Sequence, residues 1–153
     1  MADDLATALA AGAKPGELGF FMPAETAPHA ACWMSWPHDA TSDAWAESLP
    51  DVQEAFIDIA AAIAEFEPVR VVAHPRKAKE ARSRLPDQVE VISLAQDDLW
   101  FRDTGPSFLI DGAGRHIGGR MRFNNWGEKY PDYEGDAGIA EALLGHLGLP
   151  LFS

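Results

Sequence analysis

The sequence predicts an α/β fold with parallel strands, and three observations carry that prediction. Two short β-branched runs, Val69–Ala73 and Val89–Leu94, flank a basic helical segment, so strand, helix and strand follow one another. Such a unit favours parallel pairing through a right-handed crossover. A helix, a break and a strand also recur, in IAAAIAEFEPVRVV from Ile59 and IAEALLGHLGLPLF from Ile139. Their offset of about 80 residues exceeds common solenoid periods and suits a module repeated within one fold. The third observation is size: 153 residues, 47% apolar and 24% charged, make one globular domain with a real core.

The elements follow in order. Residues 1–20 read as a flexible, partly helical arm, with Asp3 and Asp4 where a secretory signal is basic and no continuous apolar run behind them. ACWMSWP (31–37) reads as a buried strand, and Trp33, Trp36 and Trp45 are expected in the core. Val52, Phe56, Ile59, Ile63 and Phe66 alternate steps of four and three, the mark of an amphipathic helix. Ser48 and Asp51 have capping-box spacing, Pro50 sits in the first turn, and Pro68 ends the helix. The basic helix runs from Pro75 to about Leu85. Ser107–Ile110 and Arg115–Phe123 flank Asp-Gly-Ala-Gly and read as a β-hairpin, with Gly118-Gly119 marking a bulge. A last helix runs from about Ala137 to Leu147, capped by Gly148. Pro150–Phe152 begins another strand, so the chain is expected to continue past Ser153.

Charge and cysteine content narrow the chemistry. The formal charge of −12 argues against nucleic acid and anionic membranes and leaves cationic ligands in play. Positive charge is concentrated between Arg70 and Arg84, which reads as the solvated face of a short helix. Cys32 is the single cysteine, so no internal disulfide or CxxC metal site is available, and its apolar surroundings suit inert packing. His29, His38, His74, His116 and His146 lack metal-ligand spacing, so neither a metal nor another cofactor is expected. Gly112–Gly114 is hairpin chemistry rather than a phosphate loop.

The stretch DDLWFRDTGP (97–106) is unusual: a loop following a strand's carboxyl end, where ligands bind in α/β sheets, with acids and large aromatics interleaved. A carboxylate such as Asp103 accepts two parallel hydrogen bonds from a guanidinium, and Trp100 can lay an indole face on the same planar cation. Equally open is a charged turn in which Arg102 neutralises Asp97, Asp98 or Asp103. Trp126 and Tyr130, on the loop FNNWGEKYPDYEGD (123–136), are candidates for a pocket edge or for packing.

Three segments together, Met22–His38, Asp97–Pro106 and Phe123–Asp136, resemble the agmatine deiminase or bacterial-type peptidyl-arginine deiminase family, over nearly all the chain from Phe21 onward. Thr26 departs from the Trp common in that family. The resemblance implies a partial pentein fold, an α/β propeller with about two of five ββαβ-like modules within residues 21–153. It implies hydrolysis of a guanidinium to a urea with release of ammonia, agmatine giving N-carbamoylputrescine in polyamine synthesis. It places Asp103 as the substrate-clamping catalytic carboxylate and Trp100 as the pocket wall. The family's thiolate nucleophile and general acid/base histidine are expected beyond Ser153, and Cys32 does not fill the nucleophile's position. These 153 residues alone are therefore expected to be inactive.

The expected setting is cytoplasmic, with a small guanidinium substrate, no nucleic acid, no membrane, and compatibility with a homo-oligomer. Open strand edges predict self-association. Alternatives are a non-catalytic half-site acting with a separate carboxyl-terminal chain, and a peptidyl-arginine deiminase; agmatine, peptidyl arginine and free arginine are not separated.

Overall fold

The computed structural model describes residues 2–38, 47–129 and 132–153, arranged as two three-stranded sheets. Trp45 and Tyr130 lie outside the described residues. The first sheet contains β1 (Cys32–Ser35), β2 (Val69–Ala73) and β3 (Glu90–Ser93), in that spatial order and all parallel. Between them run α2 (Leu49–Ala64) and α3 (Ala78–Arg84). β2 is central, and four of its five residues are buried, as expected of a strand covered on both faces. Val69, Val71 and Ala73 meet Phe56 and Ala60 of α2 and Ala78 and Ala81 of α3 in one core, so both helices lie on the same face. Trp36 closes that core, fully buried and edge to face with Phe56 at 5.6 Å. Trp33 is half-buried instead and stacks on Phe101 at 6.1 Å and Phe108 at 6.4 Å.

Three sequence expectations change here. The apolar stripe of α2 merges two faces: Phe56 turns inward, whereas Ile59 and Phe66 are exposed. Gln53 takes an inward position, bonded to the Pro37 carbonyl at 2.9 Å. The capping box does not form, because Ser48 makes no side-chain cap and has helical backbone angles. Pro50 does occupy the first turn. The basic stretch is not wholly solvated either. The Arg84 guanidinium reaches across to Gln53 and to Glu54 (2.5 Å) and lies over the Trp36 ring at 5.7 Å. Arg70 belongs to β2, paired with Glu90 at 2.8 Å and placed over Trp33 at 5.2 Å.

The second sheet has the order ββαβ. β4 (Ser107–Ile110) and β5 (His116–Gly119) form the expected hairpin, shorter than predicted on its second side. Asp111 builds the turn by accepting the Arg115 backbone N–H at 2.8 Å and its Nε–H at 2.6 Å. α6 (Glu134–Leu147) then crosses over, ends on left-handed Gly148, and delivers β6 (Leu151–Phe152) parallel to β5. Thus the order ββαβ is present in the second half, while the first half is βαβαβ. The helix–break–strand likeness corresponds to α2–β2 and α6–β6.

The first twenty residues differ from the loose arm expected of them. Helix α1 (Ala2–Ala10) places Leu5 and Leu9, with Phe20, on Ile117 and Phe152 in a second core. The apolar residues at a spacing of four make one turn-to-turn stripe, and burying it holds the segment. Among the described residues no helix is long and apolar enough to cross a membrane.

No bulge occurs at Gly118-Gly119, where the ladder register is regular: Phe108 pairs with Gly118 and Ser107 with Gly119. These glycines permit close approach instead. A Cβ on Gly118 would stand 2.1 Å from Leu144 of α6, and one on Gly119 would stand 2.4 Å from the Phe152 ring. Gly118→Ala is therefore expected to destabilise the fold by about 1–3 kcal/mol. Adding Leu144→Ala should return part of that loss, measured by chemical denaturation of the single and double variants. A fully additive double variant would contradict the contact.

Candidate functional site

The carboxyl ends of β1 and β3 converge on a buried polar floor. His38 Nε2 lies 2.8 Å from Gln96 Oε1, and Gln96 Nε2 donates to the Trp36 carbonyl at 2.7 Å. Ser35 Oγ donates to the Asp98 carbonyl at 3.1 Å, so β1 also holds the start of the acidic stretch. From there the chain enters a single turn, α4 (Phe101–Thr104), whose Phe101 is fixed by stacking on Trp33. With Phe101 held inward, Trp100, Arg102 and Asp103 are exposed.

Asp97 and Asp136 form a reciprocal clamp between the second and third conspicuous segments of the sequence. The Asp97 N–H donates to Asp136 Oδ1 at 2.8 Å, and the Asp98 N–H donates to Asp136 Oδ2 at 3.1 Å. In return Asp97 Oδ2 accepts the Gly135 and Asp136 N–H groups at 2.8 and 3.2 Å, at the start of α6. A carboxylate there satisfies otherwise unpaired N–H groups and faces the positive end of the helix dipole. Residue 135 must be small, since a Cβ would stand 2.9 Å from Asp97 Oδ2. Asp98 turns back on itself, accepting the Leu99 N–H at 2.6 Å, and burial pushes its carboxyl upward.

The loop after β5 brings a second tryptophan over the first. Asn125, Trp126, Gly127 and Glu128 all have positive φ, from 51° to 88°, and form one left-handed turn, α5 (Asn125–Glu128). The Asn124 side chain accepts the Gly127 N–H at 3.1 Å and braces it. Left-handed backbone costs about 1–2 kcal/mol at each non-glycine residue, and such strain persists where the surroundings enforce it. Here it aims Trp126 at the cleft. The Trp126 indole meets Trp100 edge to face at 6.4 Å and Phe123 at 5.3 Å, and its N–H lies 3.4 Å from Asp103 Oδ1. At that length the contact orients the indole more than it satisfies the carboxylate.

Trp100, Asp103, Trp126 and Lys129 line an open cleft of about 370 Å³. It offers a carboxylate beside two indoles: parallel acceptors for a planar, charged donor, and π faces for its flat sides. Both predicted site residues are therefore in one place. Trp126 joins them as pocket lining, one of the two roles its sequence position left open. Arg102 does not neutralise Asp97, Asp98 or Asp103; it pairs with Glu25 at 3.1 Å, joining the first segment to the second. His29 ties the first segment to the turn after α2 instead, bridging the Glu25 carbonyl (2.8 Å) and Glu67 (3.0 Å). Cys32 is not among the lining residues; burial, reinforced by Glu67, pushes its thiol upward, away from a nucleophile's range. The clamp, the polar floor and Lys129 were not read from the sequence. A hint for the clamp lay in Gly135-Asp136 preceding an apolar helix, a capping pattern.

Comparisons with known proteins identify what the chain resembles. The Porphyromonas-type peptidyl-arginine deiminase family matches residues 21–153. Agmatine deiminase of Stutzerimonas stutzeri is 42% identical over 135 residues, covering 85% of this chain and 36% of that protein. Agmatine deiminase of Medicago truncatula is 38% identical over 147 residues, covering 88% of this chain and 39% of that protein. The solved agmatine deiminase of Enterococcus faecalis superposes with a TM-score of 0.81 at 33% identity, covering 90% of this chain and 38% of that one. This chain thus spans well under half the length of the relatives it matches.

Two measurements check the site's construction. Burial, outweighing the Asp97 and Asp98 N–H bonds, pushes the Asp136 carboxyl up from 3.8 to about 6. A raised carboxyl pKa means that the folded chain holds the proton more tightly than the unfolded chain. This group's contribution is therefore full below about pH 4 and is lost as pH rises towards about 6. The stability difference between wild type and Asp136→Asn should decline over that interval in denaturant titrations; a flat difference contradicts the buried carboxyl. Secondly, Glu128→Gly should hold or raise stability by up to about 1 kcal/mol, whereas Glu128→Val should lower it by more than about 1 kcal/mol. Equal melting temperatures for the two would contradict the left-handed turn.

Proposed function

Given that the chain belongs to the Porphyromonas-type peptidyl-arginine deiminase family, we propose that it holds the guanidinium of a small cationic substrate for hydrolysis to a urea. Agmatine is the proposed substrate, yielding N-carbamoylputrescine and ammonia in polyamine synthesis in the cytoplasm. The observation that carries the reading is the cleft in which Asp103 lies beside Trp100 and Trp126. Asp103 takes two guanidinium N–H groups and fixes the plane of the cation, and Trp100 forms the wall against which that plane rests. Holding the substrate in one orientation is itself catalytic, because it converts an encounter into an aligned attack.

The covalent route requires a thiolate at the guanidinium carbon, and Cys32 is not at the cleft. The reading therefore assigns these residues half of a guanidinium clamp, with nucleophile and acid/base supplied by further polypeptide. The two sheets are, on the same reading, parts of the five-module propeller.

Agmatine and putrescine distinguish a guanidinium site from general attraction to a chain of charge −12. In calorimetric titrations at fixed ionic strength agmatine should bind this chain at least tenfold more tightly than putrescine, which carries ammonium groups alone. Asp103→Asn should weaken agmatine by about 10- to 100-fold, the loss of a charge-assisted pair, and leave putrescine nearly unchanged. Equal binding of the two ligands, or agmatine binding indifferent to Asp103, overturns the assignment.

A further inference from the structure

Of the three carboxylates in the acidic stretch, Asp97 serves the clamp and Asp103 the cleft, while the Asp98 side chain has no task so far. Its main chain is already held from both sides: the N–H donates to Asp136 at 3.1 Å, and the carbonyl accepts Ser35 Oγ at 3.1 Å. Holding the stretch in place therefore does not need the side chain. Yet that carboxyl is half-buried, which opposes its ionisation. It accepts two N–H groups, the backbone N–H of Leu99 at 2.6 Å and the indole N–H of Trp100. The second of these bonds reaches the wall of the cleft.

The backbone leaves the Trp100 ring with one thing undetermined. Trp100 has φ −76° and ψ 62°, and the Phe101 N–H donates to the Leu99 carbonyl at 2.8 Å, so the three residues form an inverse γ-turn. The Asp103 N–H donates to the Trp100 carbonyl at 3.0 Å, so wall and clamping carboxylate leave the same turn. These bonds fix where the Trp100 side chain starts, but the plane of the indole is set by its own torsions. At 42% exposure, packing alone does not set that plane. Nor is Trp126 a fixed reference for it, because the Trp126 N–H rests on Asp103, the acceptor a bound cation takes. Asp98 lies outside the cleft lining and keeps its place whether or not the cleft is filled.

We propose that Asp98 is a positioning residue of the guanidinium site: its carboxylate holds the Trp100 indole by the ring N–H and so fixes the plane of the wall beside Asp103. The inference rests on the guanidinium reading of the cleft. A planar cation gains from an indole only when it meets the ring face. A ring that swings about its torsions offers that face part of the time, and ordering it on binding lowers affinity. Held by a charge-assisted hydrogen bond, the ring is ordered before a ligand arrives. The two indoles of the cleft thus have different parts. Trp126 shares the carboxylate that the ligand needs and gives way, whereas Trp100 has a carboxylate of its own and stays.

Two readouts test this, one of them without any ligand. In NMR spectra of the free chain the Trp100 indole N–H resonance, assigned with Trp100→Phe, should lie downfield and exchange slowly. Asp98→Ala should return it to the range of exposed indoles, while Asp98→Asn, whose amide oxygen still accepts, should keep most of the shift. An indole resonance indifferent to both substitutions overturns the proposal. The nearly isosteric Asn variant gives the answer even if the Ala variant fails to fold. In calorimetric titrations Asp98→Ala should lower the preference for agmatine over putrescine by about tenfold, and Asp98→Asn by no more than about threefold. Taking the ratio of the two ligands cancels the general loss of negative charge. In a Trp100→Phe background, where the ring has no N–H, Asp98→Ala should change that ratio by less than about twofold. The full loss persisting in that background would mean that Asp98 acts by another path, and would also overturn the proposal. A wild-type chain with no preference for agmatine would sink the guanidinium reading, and the indole resonance would still decide whether Asp98 holds Trp100.

Discussion

Asp97 and Asp136 each accept hydrogen bonds from the other's backbone, and the geometry of the cleft depends on that exchange. One carboxylate follows the last strand of the first sheet; the other belongs to the first turn of α6. Their mutual capture fixes where α4 leaves the first sheet relative to where α6 enters the second. Two like charges brought together and buried oppose ionisation. The N–H groups at the start of α6, together with those of Asp97 and Asp98, are what make the arrangement tenable. Trp100 and Asp103 lie within six residues of one end of the clamp, and the Trp126 loop leads into the other.

The remaining component is strain. A run of four positive φ values containing three non-glycine residues is unfavourable by itself, and the Asn124 bracket with the Phe123–Trp126 ring contact holds it in place. The result is an indole perpendicular to Trp100 whose N–H edge is turned towards the Asp103 carboxylate.

Much of this was legible in the sequence, for identifiable reasons. Runs such as VRVVA announce buried parallel strands because no side of them is polar enough for solvent. The hairpin was legible from turn chemistry at Asp111–Gly114. Asp103 and Trp100 stood out because acids and large aromatics rarely share an exposed loop. What escaped was decided by tertiary proximity. The role of Gly118 depends on Leu144, 26 positions later, and a period-two pattern cannot tell a bulge from a close approach. The stripe on α2 looked like one face because steps of three and four are common to inward and outward seams. Asp136 stands just before the expected helix, and nothing local reveals that its partners come from residues 97 and 98. Arg102 lay among acids in sequence but reaches Glu25 in space.

The two sheets share no strand, and α1 and Phe20 reach the core of the second from the opposite end of the chain. The seam between the sheets is held by the carboxylate exchange and the Trp33–Phe101–Phe108 stack. The cleft straddles that seam. A molecule gripped at once by Asp103 from the first half and Trp126 from the second acts as a staple, so that occupancy and the cohesion of the two halves become one equilibrium.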